Sequence, residues 1–408
     1  MYNERGCKSL RGSDSMFLDS VIKRNSKLVE AAFDFYNEGY IEPNTYILDL
    51  DNILENAKKI KAEADKVGID LFFMTKQIGR NPYVAERLIE IGYKGAVVVD
   101  FEEAQVMIKN NIPICNVGHL VQIPSKLIKE IVDYGAEYIT VYSIDKIKEI
   151  NEVAQKINKK QKIILRVLDD NDIIYSGQAG GFYLKDIDEI CKETSNLTNV
   201  DISGLTTFPC FLFNEEHNQI EPTKNIDTLK KFKKEFEKRN VTIDQLNMPS
   251  ATCANNVRMI HEFDGTQGEP GHALTGTTPD VNGVEKPAIL YISEISHNLN
   301  GKSYCYAGGY YRRGHLKNAL VGTNFNNSKR VKAIGPTPDS IDYYIELNEE
   351  CTVGNTVLMA FRTQIFVTRS KVAIIEGINS GNPKISRIYN SIGDVIKNYD
   401  RKIYNINS

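Results

Sequence analysis

The sequence lacks a strong charge of either sign. Lysine and arginine total 50 against 53 aspartates and glutamates, a formal net charge of −3 over 408 residues. Without a basic field there is nothing to draw nucleic acid or an anionic membrane surface, and a small molecule is the default partner. Cysteine is sparse: seven residues, an odd number, with no Cys-x-x-Cys pair. Most lie in apolar runs, such as Cys115 in IPICNVG and Cys191 in DEICKE, as reduced, buried thiols of a cytoplasmic protein do. No apolar run is long enough to span a bilayer. The start, MYNERGCKSLRGSDS, has no apolar segment of the signal-peptide kind. Residues 1–15 are polar and are expected to be disordered or to lie upstream of the natural start, with helical patterning beginning at Met16.

What is present is alternation. From residue 45, β-branched runs that are apolar on both faces alternate with amphipathic stretches: TYILDLD, LFFMTK, GAVVVD, IPICNVG, YITVYS, KIILRVL, DISGLTTFP, DQLNMPS and TQGEPG. Such runs read as parallel strands covered by helices. Helix boundaries are legible too. Asn81-Pro82 places a cap before a proline at the first helical position. Asp100 with Glu103, and Asn52 with Glu55, form capping-box-like starts, and Gly68 closes the second of these helices. Strand–helix alternation implies a doubly wound sheet or a closed (β/α)₈ barrel. No Gly-x-Gly-x-x-Gly follows the first run, which weakens the dinucleotide-binding version. Nine runs exceed eight barrel places, so one terminal run belongs elsewhere. After about residue 280 helical periodicity fades, and AILYISEISHN, DYYIELN, NTVLMAF and QIFVTRSKVAIIEG suggest antiparallel strands. The expected organisation is an N-terminal extension and helix (1–44), an α/β TIM-like (β/α)₈ barrel (45–279) and an antiparallel β-domain (280–408), with the junction near Thr278-Pro279.

Three segments could carry chemistry. Lys76 ends LFFMTK, and the C-terminal end of a barrel strand is where catalytic groups project. An ammonium beside Phe72, Phe73 and Met74 would be poorly solvated, which lowers its pKa and frees the amine to form a Schiff base; position alone favours a lysine that ends a strand and points to water, as most lysines do. In GEPGHALTGTTP, residues 268–279, Gly271 and the following amides could cradle a phosphate, with the Glu269 carboxylate beside whatever ring that phosphate carries. The alternative is an ordinary Pro-Gly turn. Ser250, ending NMPS, is a further phosphate donor. In YCYAGGYYRRG, residues 304–314, glycines beside tyrosines would let a loop approach a ligand, or form a plain hairpin.

Together these segments resemble the alanine-racemase-like, fold-type III pyridoxal-phosphate enzymes, over roughly residues 45–380. Glu269-Pro-Gly-His-Ala-Leu-Thr-Gly276 is similar to that family's phosphate segment, and Cys305-Tyr306-Ala-Gly-Gly-Tyr310 to its second-domain motif. TKQIGRNP, HLVQIP, TTFPCFLFNEE, MPSATCANN and EPGHALTGTTP resemble the YhfX-type branch, whose chains begin near MFLDS, in favour of Met16 as the natural start. The resemblance implies pyridoxal 5′-phosphate on Lys76, which would also act as base on one face of the substrate. It implies Tyr306 as the opposite-face acid and base, reaching a partner's site in a head-to-tail homodimer. It also implies Ser250, Gly271 and His272 at phosphate-contact positions, and the first strand-like run joining the second domain.

Departures from the family's pattern shape the functional expectation. Glu269 stands where racemases place an arginine against the ring nitrogen, and a carboxylate keeps that nitrogen protonated and the ring a better electron sink. Amino-acid decarboxylases of this fold share that choice. Arg80 replaces a phosphate-contact tyrosine and could serve a phosphate at least as well. The racemases' substrate-binding arginine has no match around YSGQAGGF, leaving Gln178 and Arg312 as the candidates for holding the substrate carboxylate. Racemisation or epimerisation of an amino acid or amino compound is expected first, with Arg312 or Arg313 as the positive neighbour that Tyr306 needs. Decarboxylation is the alternative, although Cys351-Thr352 lacks the acid of the decarboxylases' Cys-Asp pair. A low-turnover cofactor-binding protein and an unrelated phosphate-binding barrel follow. His297 and His315 have no ligand spacing, so no metal is expected. Acidic Asp169, Asp170, Asp172, Glu215 and Glu216 could favour a basic substrate or be solvated loop charges.

Overall fold

The computed structural model describes residues 16–278 and 283–399. The polar start 1–15 and Pro279 lie outside the described residues. Helices α1 (Met16–Arg24) and α2 (Ser26–Asn37) come first, followed by strand β1 (Thr45–Asp49) and helix α3 (Leu50–Val67). The Asp49 carboxylate caps α3 by accepting from the Asn52 amide, and Gly68 ends it at φ +70°. The cap expected at Asn52 therefore sits three residues earlier: Asp49 is the last extended residue before the helix and bonds the first free amide within reach.

Eight parallel strands follow and close into a barrel: β2 (Asp70–Met74), β3 (Gly95–Val97), β4 (Ile114–Val117), β5 (Tyr138–Val141), β6 (Gln161–Arg166) and β7 (Val200–Thr206), then, after a hairpin of β8 (Phe211–Asn214) with β9 (Gln219–Pro222), β10 (Gln245–Asn247) and β11 (Gln267–Gly268). The ring runs β10-β11-β2-β3-β4-β5-β6-β7. All eight coincide with the strand-like runs of the sequence. The hairpin does not: CFLFNEEHNQ reads as a loop, yet its backbones pair from Phe211–Pro222 to Asn214–Gln219. Helices α4 (Pro82–Ile91) and α5 (Phe101–Lys109) follow β2 and β3 and start where the capping residues predict, Asn81 accepting from the Val84 amide and Asp100 from the Glu103 amide. Phe72, Met74, Val97, Cys115, Tyr138 and Ile164 fill the barrel interior. Most strand residues are buried on both faces because helices cover the outside.

The ninth run, β1, joins the second sheet, as the family resemblance implies. It pairs antiparallel with β12 (Ile289–Leu299) and parallel with β18 (Lys371–Glu376). That ten-stranded sheet also contains β13 (Lys302–Tyr306), β14 (Asn318–Gly322), β15 (Ser328–Ile334), β16 (Tyr344–Leu347), β17 (Thr356–Met359), β19 (Lys384–Asn390) and β20 (Val395–Asn398). The 45–279 span drawn for the barrel is thus corrected by one strand: all five β1 residues are buried and sit in the centre of the other sheet. Phe17, Val21, Leu28 and Phe33 of α1 and α2 pack on Ile47, Leu290 and Leu358 of that sheet. The N-terminal helices are therefore part of the β-domain. Tyr46, Tyr291 and Met359 belong to the core cluster that also holds Phe73 and Val98, so barrel and sheet share apolar contacts. Among the described residues no helix is long and apolar enough to cross a membrane. The six described cysteines are free, and all but Cys191 are buried.

Candidate active site

Lys76 opens a short turn, Lys76–Ile78, directly after β2 and Thr75. It is 9% exposed, and its ammonium donates to no acceptor among the described residues. Burial holds its pKa below the ordinary lysine range; Glu103 and Glu269 pull the other way, and Arg362 adds to the depression. An amine so placed is readily neutral and nucleophilic.

One neighbour of β2 in the ring is β11, whose Gly268 lies opposite Leu71. This pairing carries the Pro-Gly turn to the lysine: the Met74 amide donates to the Pro270 carbonyl at 3.0 Å. Glu269 is buried on the same rim, accepts from Asn247 Nδ2 at 2.8 Å, and its amide donates to Thr252 Oγ1 at 3.0 Å. Burial pushes its carboxyl up to about 7, against the pull of the Asn247 hydrogen bond and Lys76. Gly271 follows at a close approach, where an added Cβ would lie 2.8 Å from both Gln77 Nε2 and Oε1. The Gly271 and His272 amides donate to no described acceptor, and neither do those of Ser250 and Ala251, which sit at φ +96° and +52°. Free amides on glycine-flanked and left-handed backbone form an anion-binding concavity. The Ser250 hydroxyl donates to the Phe211 carbonyl at 2.7 Å, which leaves its lone pairs, and not its proton, for a ligand. The imidazole of His272 bonds Thr277 Oγ1 at 3.0 Å, and burial keeps it neutral.

The opposite rim holds residues to which the sequence reading gave no role. His119, after β4, is 1% exposed with both ring nitrogens unpartnered. Burial, then Arg166 and Lys76, bring its pKa down to about 3, so the ring is neutral. Arg166 ends β6 and donates to the Tyr142 hydroxyl at 2.9 Å. The segment after β17 crosses to this mouth from the β-domain, carrying Arg362, whose Nε is buried without a partner. The signal for His119 and Arg166 was available: both stand at or just past the C-terminal end of a barrel strand, like Lys76. Arg362 had none, since it arrives from another domain.

Other expected residues lie differently. Arg80 is committed to Asp100 at 2.7 Å and Glu102 at 3.4 Å and stacks on Phe366 at 5.1 Å. Its terminal nitrogens are thus taken by the α5 capping carboxylate and by Glu102, while its Nε is buried without a partner. Gln178, on the loop after β6, has a buried, unpartnered Oε1. Arg312 donates to the Pro338 carbonyl at 2.9 Å on the surface, whereas Arg313 covers the Tyr175 ring at 5.7 Å. Tyr306, at the end of β13, is 39% exposed against Tyr344, and the fold does not bring it to the chain's own Lys76. His297 stacks on Tyr304.

Residues 48–279 match the alanine racemase N-terminal domain, and residues 290–385 the YhfX-like C-terminal domain. This chain belongs to the alanine racemase N-terminal-domain family, in its YhfX-like branch. The chain is 42% identical to the uncharacterized protein YhfX of Escherichia coli (strain K12) over 383 residues, 93% of this chain and 99% of that one. Its fold matches the alanine racemase of Clostridium difficile 630 in complex with cycloserine (TM-score 0.61, 16% identity, covering 85% of this chain and 98% of that one). It also matches the diaminopimelate decarboxylase of Helicobacter pylori complexed with L-lysine (TM-score 0.64, 14% identity, 89% and 96%). Alanine racemase-fold enzymes use pyridoxal phosphate. The residues here suit that group chemically: a buried free amine, a carboxyl beside it, unpartnered polar atoms on His119, Gln77 and Asn247, and a glycine where a side chain would intrude.

Proposed function

We propose that this chain is a cytoplasmic, pyridoxal-phosphate-dependent racemase or epimerase of an amino acid or amino compound, working as a head-to-tail homodimer. The observation that carries the reading is the buried, unpartnered Lys76 amine beside Glu269 and the Gly271 concavity. Lys76 would carry the cofactor, the backbone amides of Gly271, His272 and Ser250 would hold its phosphate, and Glu269 would face its ring nitrogen. When bound, the cofactor supplies an electron sink for a carbanion at the substrate Cα.

The chain's own groups do the rest. Lys76 Nζ, shielded from bulk water and shifted toward the neutral amine, takes the proton from Cα. Glu269 holds a proton on one of its carboxyl oxygens near neutral pH, as its raised pKa allows. His119 stays neutral and adds no positive charge to a mouth that already holds Lys76, Arg166 and Arg362. Tyr306 of a second copy would return a proton to the opposite face; its exposure at a strand end of the β-domain leaves it free to do so.

Decarboxylation is the second reading, favoured by the identity of Glu269. Against it, the sulfur expected to stand in for the decarboxylases' cysteine, Cys351, is 6% exposed and has its amide bonded to Ser303 Oγ at 2.7 Å. Deuterium wash-in at Cα during turnover is the test. Incorporation into both enantiomers without release of carbon dioxide supports racemisation; protiated enantiomers across an amino-acid panel, with cofactor loaded on Lys76, refute it.

A further inference from the structure

Besides Lys76, the barrel mouth contains the guanidiniums of Arg166 and Arg362, which pair with no carboxylate among the described residues. Arg166 is 2% exposed, and its one side-chain hydrogen bond goes to the neutral Tyr142 hydroxyl. The Arg362 guanidinium donates to no described residue, and its Nε is out of contact with water. Its position is nevertheless fixed. The Arg362 amide donates to the Gly314 carbonyl at 2.9 Å, and the next side chain, Thr363, donates to the Tyr46 hydroxyl at 2.7 Å. Further on, Ile365 seats against Gly79 of the Lys76 turn, its Cγ2 lying 3.1 Å from where a Cβ would be. A cation anchored on both sides yet given no anion is costly, and an arginine in that state is a receptor for a planar or tetrahedral anion.

The groups that act on Arg362 electrostatically are Lys76, His272, His315, Tyr175 and Tyr311, none of them a carboxylate. Acids elsewhere are engaged. Glu103 accepts from the Thr75 hydroxyl and, at 2.6 Å, from the Val99 amide. Asp172 accepts from the Asp169 amide and the Thr228 hydroxyl, both at 2.9 Å. Glu215 and Glu216 stand exposed at the β8–β9 turn. Of the loop acids that could have selected a basic substrate, Asp172 is thus an internal strut, Glu215 and Glu216 are hairpin-tip charges, and Asp170 is exposed on the loop after β6.

We infer that Arg362, reaching the barrel from the chain's own β-domain, anchors an anionic group of the substrate, and that with Arg166 it selects an acidic substrate, an amino acid or amino compound bearing two anionic groups. This rests on the function proposed above in placing substrate at the Lys76 mouth. The second group is a carboxylate or a phosphonate, two chemistries that a guanidinium fork accepts alike.

The experiment has two arms. In the first, cofactor-loaded wild type and Arg362→Gln are titrated with glutamate, aspartate, 2-amino-3-phosphonopropionate, alanine and lysine, followed by spectral change. Wild type binds one or more of the three acidic compounds about tenfold or more tighter than alanine or lysine, and Arg362→Gln loses that preference while retaining its colour. Arg362→Lys keeps part of it. The phosphonate and the dicarboxylates rank against each other in the same titration. In the second arm succinate, which has no amine, raises the unfolding temperature of cofactor-free wild type but not of Arg362→Gln, and acetate and putrescine do neither. Lysine binding wild type as tightly as the acidic compounds overturns the inference, even should the variant not fold. So does an Arg362→Gln protein with unchanged preferences. A protein that takes no colour yet shows the succinate effect keeps the anion anchor and refutes the cofactor reading instead.

Discussion

Replacing Glu269 by glutamine should remove a pH dependence that burial has built into the folded protein. The carboxyl moves from an ordinary 4.5 to about 7, chiefly because burial penalises the carboxylate. That displacement corresponds to about 3 kcal/mol. The raised pKa gives a stabilisation that is fully present below pH 4.5, where the group is protonated folded or unfolded, and is lost as pH rises through about 7. Glutamine carries no such proton. Urea unfolding of cofactor-free protein should therefore show the stability of wild type relative to Glu269→Gln falling by about 3 kcal/mol between pH 4.5 and pH 8. The Lys76 ammonium pulls Glu269 back toward ionisation. In a Lys76→Met background the loss should therefore be at least as large and its midpoint higher. That background also removes the amine's own titration. A wild-type-minus-variant difference that is flat with pH would refute the claim that a dry carboxyl faces the lysine.

Other expectations follow from single contacts. Gly271→Ala drives a Cβ to 2.8 Å from Gln77, itself 4% exposed. It should cost roughly 1–3 kcal/mol in unfolding free energy and weaken cofactor binding in a titration, with Gln77→Ala restoring both. Arg80→Ala leaves the Asp100 carboxylate, 15% exposed, without its 2.7 Å partner; a loss of about 3 kcal/mol is expected from denaturant midpoints. Tyr306→Phe should keep the cofactor's colour and abolish Cα exchange from one face, measured enantiomer by enantiomer, whereas a mere cofactor carrier would show no consequence.

The architecture was largely readable because its signals are local. Runs such as LFFMTK and KIILRVL must be apolar on both faces to sit between a filled barrel interior and a helical coat. Asn81-Pro82 and Asp100 announce helix starts through groups within three residues of one another. The β8–β9 hairpin escaped because Phe211 and Phe213 precede NEEHNQ, a polar stretch that looks like loop until the two short backbones pair. Lys76, Glu269 and Gly271 could be placed since each stands at the tip of a barrel strand, β2 or β11, and these strands are neighbours. The Arg80–Asp100 pair could not, because Asp100 belongs to the next strand–helix connection and only the fold brings the two together. Arg362 was hidden for the same reason in stronger form: after β11 the chain runs through six strands of the second sheet, β12 to β17, before returning to the mouth. Tyr306 remains apart from Lys76 within one chain, so its role turns on a second copy.

The most direct measurement is to incubate the purified protein with pyridoxal phosphate, reduce with borohydride, and map the modified peptide by mass spectrometry. A yellow protein is expected, its colour lost on reduction, with the pyridoxyl-phosphate mass fixed on Lys76 alone and absent from Lys76→Ala. A colourless protein, or label spread over surface lysines with Lys76 untouched, would contradict the cofactor reading.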